Sequence, residues 1–205
     1  FLFSFSQDSV KRMDVSNLWF LYKETLIGGI LVLVLTEMAK VIVGEHRPHF
    51  LDVCEPDTAV GCSPGSFIMD YKCTSTKYSA YFVVDSSRSF PSGHSSVSVF
   101  VGIFSAYIIH TRLPTSRTGY LLKPFLISIC LTWALVCSLT RITDRRHHWW
   151  DVLAGLCLGV CGVTYTICLV RKKTRSYEEE PPTRISASTT TLLDVKNKDA
   201  TSVII

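Results

Sequence analysis

Four stretches of this chain run apolar with almost no charge, and they set its architecture. Residues 95–111, 124–140 and 152–170 contain no Asp, Glu, Lys or Arg, and "TLIGGILVLVLTEMAKVIV" (25–43) is broken only by Glu37 and Lys40. Each approaches the ~20 residues that carry an α-helix across ~30 Å of hydrocarbon. The pattern predicts spans near 22–43, 94–111, 122–140 and 151–170, and hence an all-α fold, a polytopic membrane helical bundle.

Composition supports this reading. With 47% hydrophobic and 19% charged residues in 205, and a mean hydropathy of +0.28, the chain is more apolar than a soluble domain of its length. The opening "FLFSFSQDSVKRMD" starts apolar and turns charged, the reverse of a signal peptide. It reads as the tail of an earlier span, which makes the chain the C-terminal part of a longer polypeptide. Residues 1–16 are then the end of a truncated span and a cytoplasmic loop, and 17–171 a membrane-embedded core. Residues 172–205, Ser/Thr-rich and carrying "EEEPP", form a disordered cytoplasmic tail.

Charge orients the bundle. "KRMD" (11–14), "RLPTSRTGYLLK" (112–123) and "RKKTR" (171–175) share one side of the membrane, which the positive-inside rule makes cytoplasmic. The opposite side holds the loop 44–91. There Glu45, Asp52, Glu55, Asp57, Asp70 and Asp85 outnumber Arg47, Lys72, Lys77 and Arg88. The same side holds the short connection 141–151, whose basic character calls for a functional reason. The net charge of +4 is spread along the chain, which argues against nucleic-acid binding. Of the eight cysteines, Cys54, Cys62 and Cys73 share the outer loop. An oxidising compartment there allows one disulfide with one Cys left over, the pair being open.

Three polar clusters fall at this one face although more than a hundred residues separate the first from the last. In "KVIVGEHRP" (40–48), Lys40 and Arg47 lie seven apart, so they project from one face of a helix that Pro48 ends, a pair of cations suited to an anion. The competing reading pairs Lys40 with Glu37 and lets Arg47 snorkel to the interface; for this cluster alone it is the better one. In "FPSGHSS" (90–96), Ser92 is a natural N-cap for a helix starting near His94. The free amides and dipole of that helix start offer an anion site. An ordinary polar cap with a solvated histidine is the plainer alternative. In "TRITDRRHHWWD" (140–151), either His147 or His148 can reach Asp151 from one helical turn away, which fixes a tautomer and leaves the far nitrogen nucleophilic. An interfacial belt of Trp149, Trp150 and arginines accounts for the tryptophans. It does not account for a carboxylate at the head of an uncharged span, where ionised groups are costly.

Together the clusters resemble the phosphatidic acid phosphatase type 2 superfamily, whose phosphate site is shared with vanadium haloperoxidases. Its K-x6-R-P, P-S-G-H and S-R-x5-H-x3-D pattern appears here as Lys40 to Arg47-Pro48, Pro91-Ser92-Gly93-His94, and Thr140-Arg141 to His147 to Asp151. Thr140 stands where the family has Ser and keeps the hydroxyl. "RPHFLDVC" and "HHWWDVLAG" are similar to the six-span lipid phosphate phosphatases of animals, the invertebrate Wunen-type branch included. The resemblance covers about residues 17–171. One departure is the lack of any N-x-S/T sequon, so glycosylation is not expected.

The resemblance implies a phosphatase of lipid phosphomonoesters such as phosphatidate, lysophosphatidate, sphingosine 1-phosphate and ceramide 1-phosphate. His147 is the implied nucleophile, His94 the general acid and base, and Asp151 the residue that orients His147. Lys40, Arg47, Ser92, Gly93 and Arg141 are the implied phosphate ligands. Three fixed cations supply the charge neutralisation that Mg²⁺ gives in kinases, so no cofactor and no metal are expected. A set of His46, His49, Asp52 and Cys54 is interrupted by Arg47 and Pro48 and lacks a thiolate pair. The expected setting is the plasma membrane with an extracellular or luminal site and membrane lipids as neighbours; a homo-oligomer is compatible with it. The terminal "SVII" has the apolar-x-apolar end that adds a strand to a PDZ domain, against the simpler reading of a frayed terminus. A silent scaffold or lipid-binding relative would have lost His94, His147 or Asp151. A transporter would carry polar residues along several spans, where only Glu37 and Lys40 come close.

Overall fold

A computed structural model describes residues 15–179 except 60, 64 and 66–67. The expected end of an earlier span and the PDZ-type terminus lie outside the described residues. Among the described residues four helices are long and apolar enough to cross a membrane: α1 (Val15–Val43), α4 (Gly93–Arg112), α5 (Thr115–Thr143) and α6 (Trp149–Glu179). Between α1 and α4 the polar loop holds two short helices, α2 (Phe50–Cys54) and α3 (Ala80–Ser86), and a 3-10 turn (Asp57–Ala59). A disulfide joins Cys54 to Cys73, which leaves Cys62 exposed as the third loop cysteine.

The bundle buries its small polar residues and exposes its large apolar ones, the arrangement expected where lipid replaces water. Leu121 is 84% and Ile42 78% exposed, whereas Ser95, Ser96 and Thr36 are fully buried. Serine and threonine hydroxyls join the helices: Thr36 of α1 to Ser96 of α4 at 3.0 Å, and Ser98 of α4 to Ser138 of α5 at 3.4 Å. Such bonds stabilise helix pairs by about 0.6–2 kcal/mol each where no solvent competes.

Helices α4 and α6 approach to backbone contact. A Cβ placed on Gly155 would lie 2.5 Å from the Ser92 carbonyl oxygen, and one on Gly159 would lie 2.5 Å from that of Ser96. The obstacle is backbone, which cannot swing aside as a side chain can. Gly155→Leu is therefore expected to force the helices apart, at about 1–3 kcal/mol or more by overpacking. Thermal unfolding in detergent should show a lowered midpoint, while Val160→Leu on the exposed face of the same helix should leave it unchanged.

Two sequence expectations change. Lys40 and Arg47 do not share a helix face, because α1 ends at Val43. Gly44 follows with φ +59 and donates its N–H to the Lys40 carbonyl, a glycine C-cap that stops the helix four residues before Pro48. The tail is helical rather than disordered from residue 172 to Glu179. "RKKTRS" carries no helix breaker, and the Thr174 and Ser176 hydroxyls bond back to the carbonyls of Val170 and Lys172. The described residues from Cys168 to Glu179 belong to a separate compact unit.

Candidate active site

The end of α1, the start of α4, the end of α5 and the start of α6 lie at one end of the bundle. Lys40, Arg47, His94, Arg141 and His147 line a single cavity of about 630 Å³ there. Each is placed by a different local device. Lys40 sits in the last turn of α1, its ammonium close over Gly93: a Cβ on that glycine would lie 3.4 Å from Nζ. Arg47 belongs to the loop after α1 and is fixed by its backbone N–H bonding the Ser86 carbonyl of α3 at 2.8 Å. His94 occupies the first turn of α4 and Arg141 the last turn of α5.

Every cation named so far already has a carboxylate. Glu37 holds Lys40 at 2.6 Å, Asp85 holds Arg47 at 2.9 Å, and Asp144 holds Arg141 at 3.1 Å. The Lys40–Glu37 pair is thus present, yet Lys40 still faces the cavity, so the pair and the anion-binding reading coexist. Burial lowers the Arg47 pKa from its ordinary value, and neighbouring Asp85 opposes that shift. Both Arg47 Nε and Arg141 Nε are buried without a hydrogen-bond partner. An orphaned buried donor costs about 1–3 kcal/mol, and both belong to guanidinium groups whose residues line the cavity.

His147 is buried at 4% exposure, and the carboxylate expected to orient it does so partly through a third residue. Asp151 Oδ2 lies 3.5 Å from His147 Nδ1, too long for a normal hydrogen bond. Ser89 Oγ bridges them, 3.3 Å from Nδ1 and donating to Asp151 Oδ2. Carboxylate and bridge both favour a proton on Nδ1, which leaves the Nε2 lone pair available. Ser89 was not legible in the sequence, since it stands outside every motif spacing.

Asp151 also sets the start of α6. It accepts the His148 backbone N–H at 2.9 Å, in the manner of a capping box, and its carbonyl accepts the Ser92 N–H at 3.0 Å. Ser92 precedes α4 without making a side-chain cap; its hydroxyl, fully buried and not among the groups that line the cavity, accepts from Ser95 at 3.0 Å. The first amide of α4, Gly93 N–H, lies beyond reach of an intrahelical acceptor. Thr140 Oγ1 donates to the Cys137 carbonyl and accepts from Arg141 at 3.4 Å, a role that Ser could equally fill.

The two adjacent histidines separate cleanly. Both come within about 3.5 Å of Asp151, but only His147 lines the cavity. His148 stacks on Trp150 at 4.5 Å with its Nδ1 3.6 Å from Glu45. Glu45, His148 and Asp151 could each offer one metal-ligand atom within 4.8 Å of the others. Glu45 Oε1 already accepts from Trp150 Nε1 at 2.8 Å and Asp151 Oδ2 from Ser89 and His148. Asp151 Oδ1 and His148 Nδ1 are buried without a hydrogen-bond partner, so the cluster is only partly satisfied by protein donors. The His46, His49, Asp52 and Cys54 set falls apart: Cys54 is in the disulfide, His46 bonds Tyr71, and His49 Nδ1 donates to the Arg145 carbonyl at 3.1 Å. Burial, with Arg146 and Arg47 close by, lowers the His49 pKa against the opposing bond to the Arg145 carbonyl.

Residues 22–175 match the family model described as the PAP2 superfamily. A Caenorhabditis elegans protein named "Phospholipid phosphatase homolog 1.2 homolog" is 37% identical over 142 residues, 68% of this chain and 41% of that protein. "Phospholipid phosphatase 1" of Mus musculus is 35% identical over 159 residues, 74% of this chain and 54% of that protein. "Putative phosphatidate phosphatase" of Drosophila melanogaster is 36% identical over 138 residues, 64% of this chain and 36% of that protein. The chain thus spans between 36% and 54% of the length of these relatives. No solved structure matches it.

Proposed function

The chain belongs to the PAP2 superfamily and forms part of a multi-pass membrane protein; on that premise we propose that it is the catalytic core of a metal-independent phosphatase of lipid phosphomonoesters. Its substrates are phosphatidate, lysophosphatidate, sphingosine 1-phosphate and ceramide 1-phosphate, met at the extracellular or luminal face of the plasma membrane. The observation that carries this reading is the cavity itself. Lys40, Arg47 and Arg141 converge with two histidines at one end of four membrane-length helices.

The phosphate enters among Lys40, Arg47 and Arg141, with the Gly93 amide as a further donor. Positioning and charge stabilisation are most of what phosphoryl transfer requires. His147 Nε2 attacks phosphorus as the ester P–O bond breaks, and His94 gives its proton to the departing alkoxide. Asp151, with Ser89 between, stabilises the positive charge that develops on the His147 ring. His94, now neutral, takes a proton from water, which attacks the phosphohistidine and releases phosphate. No step calls on a metal, because the cations are built in.

The test is phosphate release from lysophosphatidate in detergent micelles by the full-length polypeptide, with and without EDTA. Activity that survives EDTA is expected. Abolition by EDTA alone sinks the mechanism, and no release under any condition favours a silent lipid-binding relative.

A further inference from the structure

Building on that phosphatase reading, we infer that Arg146 is a fourth phosphate-binding cation, the one that first captures the incoming phosphomonoester. It lines the same cavity as Lys40, Arg47 and Arg141. Those three are each paired with a carboxylate within 3.1 Å. Among the described residues Arg146 has no carboxylate within 4.0 Å; its guanidinium instead rests on the face of Phe82, 5.2 Å from the ring centroid. It therefore brings uncompensated positive charge to the cavity, and its donors need not leave an acid to meet a phosphate.

The chain is shaped to put it there. Arg145 adopts φ 53, a left-handed conformation that costs a residue with a side chain about 1–3 kcal/mol and persists only where its surroundings fix it. Here they do: Arg145 N–H bonds the Ile142 carbonyl at 3.0 Å, its own carbonyl accepts from His49 Nδ1, and Arg146 N–H bonds the Arg141 carbonyl at 3.1 Å. The reversal turns Arg146 back toward α3, where Phe82 is itself stacked on Tyr78 at 5.4 Å. An aromatic face holds a guanidinium's position while leaving its edge N–H groups free, and those edges suit two phosphate oxygens.

The test uses the full-length polypeptide in detergent micelles, with lysophosphatidate as substrate and inorganic phosphate as a non-reacting probe. Arg146→Gln should raise KM about tenfold, with kcat within about twofold and phosphate affinity weakened in parallel, as loss of one charge-assisted contact predicts. Arg146→Lys should recover most of that loss, and Phe82→Leu should raise KM about two- to threefold. An Arg146→Gln enzyme with unchanged KM and phosphate affinity overturns the inference, as does one that loses kcat alone. If the wild type turns over no lysophosphatidate, the phosphatase reading fails and calorimetric phosphate binding decides by itself. Binding about tenfold weaker in Arg146→Gln then supports the inference; equal binding, or none to the wild type, overturns it.

Discussion

His147→Ala is expected to remove at least a thousandfold of the phosphatase activity, about the loss seen when a covalent nucleophile is deleted. His148→Ala should keep most of it. Sequence spacing alone leaves both imidazoles within reach of Asp151, and the structure keeps both close. The difference is placement, since His147 faces the cavity with its Nδ1 side held by Ser89 and Asp151. His148 stacks on Trp150 near Glu45 instead. Rapid quenching with ³²P-labelled substrate gives the sharper readout: an acid-labile, base-stable phosphoenzyme in wild type and His148→Ala, and none in His147→Ala. Labelling of His147→Ala would assign the nucleophile elsewhere.

His94→Asn should lower turnover of lysophosphatidate by about 10²–10⁴, the usual worth of a general acid–base group. The two half-reactions can be told apart by the leaving group. With p-nitrophenyl phosphate the alcohol departs without help, so the first step should survive the substitution and the second should not. The variant should then release one equivalent of nitrophenol in a burst and accumulate labelled His147. Steady turnover without a burst would mean that another group activates the water.

The sequence shows the bundle readily and the site only in part, for physical reasons. Spans are legible because a membrane imposes one long-range rule, the exclusion of charge, and the apolar windows obey it. The convergence of Lys40, His94 and His147 is legible because alternating spans return the chain to the same face. What escapes is whatever depends on a contact between polar residues of different elements or turns. Asp85, Asp144 and Ser89 are ordinary polar residues until Arg47, Arg141 and Asp151 are seen beside them. Arg47 looked helical because seven residues make two turns, but a single left-handed glycine at 44 ends α1 first. Likewise the three loop cysteines allow several pairings, and only folding of the loop brings Cys54 to Cys73.

Asp151 ties together three stretches of chain that the sequence keeps apart. Its carboxylate takes Ser89 and the amide that opens α6, and its carbonyl takes the amide just before α4. Releasing any one of these loosens the others, because they share one buried residue whose second oxygen, Oδ1, has no partner in reserve. Such an arrangement opens as a unit rather than by fraying. The helix starts and His147 are thus protected, or exposed, together. A change that weakens the junction should appear first as faster hydrogen exchange at Ser92 and His148, before the membrane-spanning segments themselves lose any order.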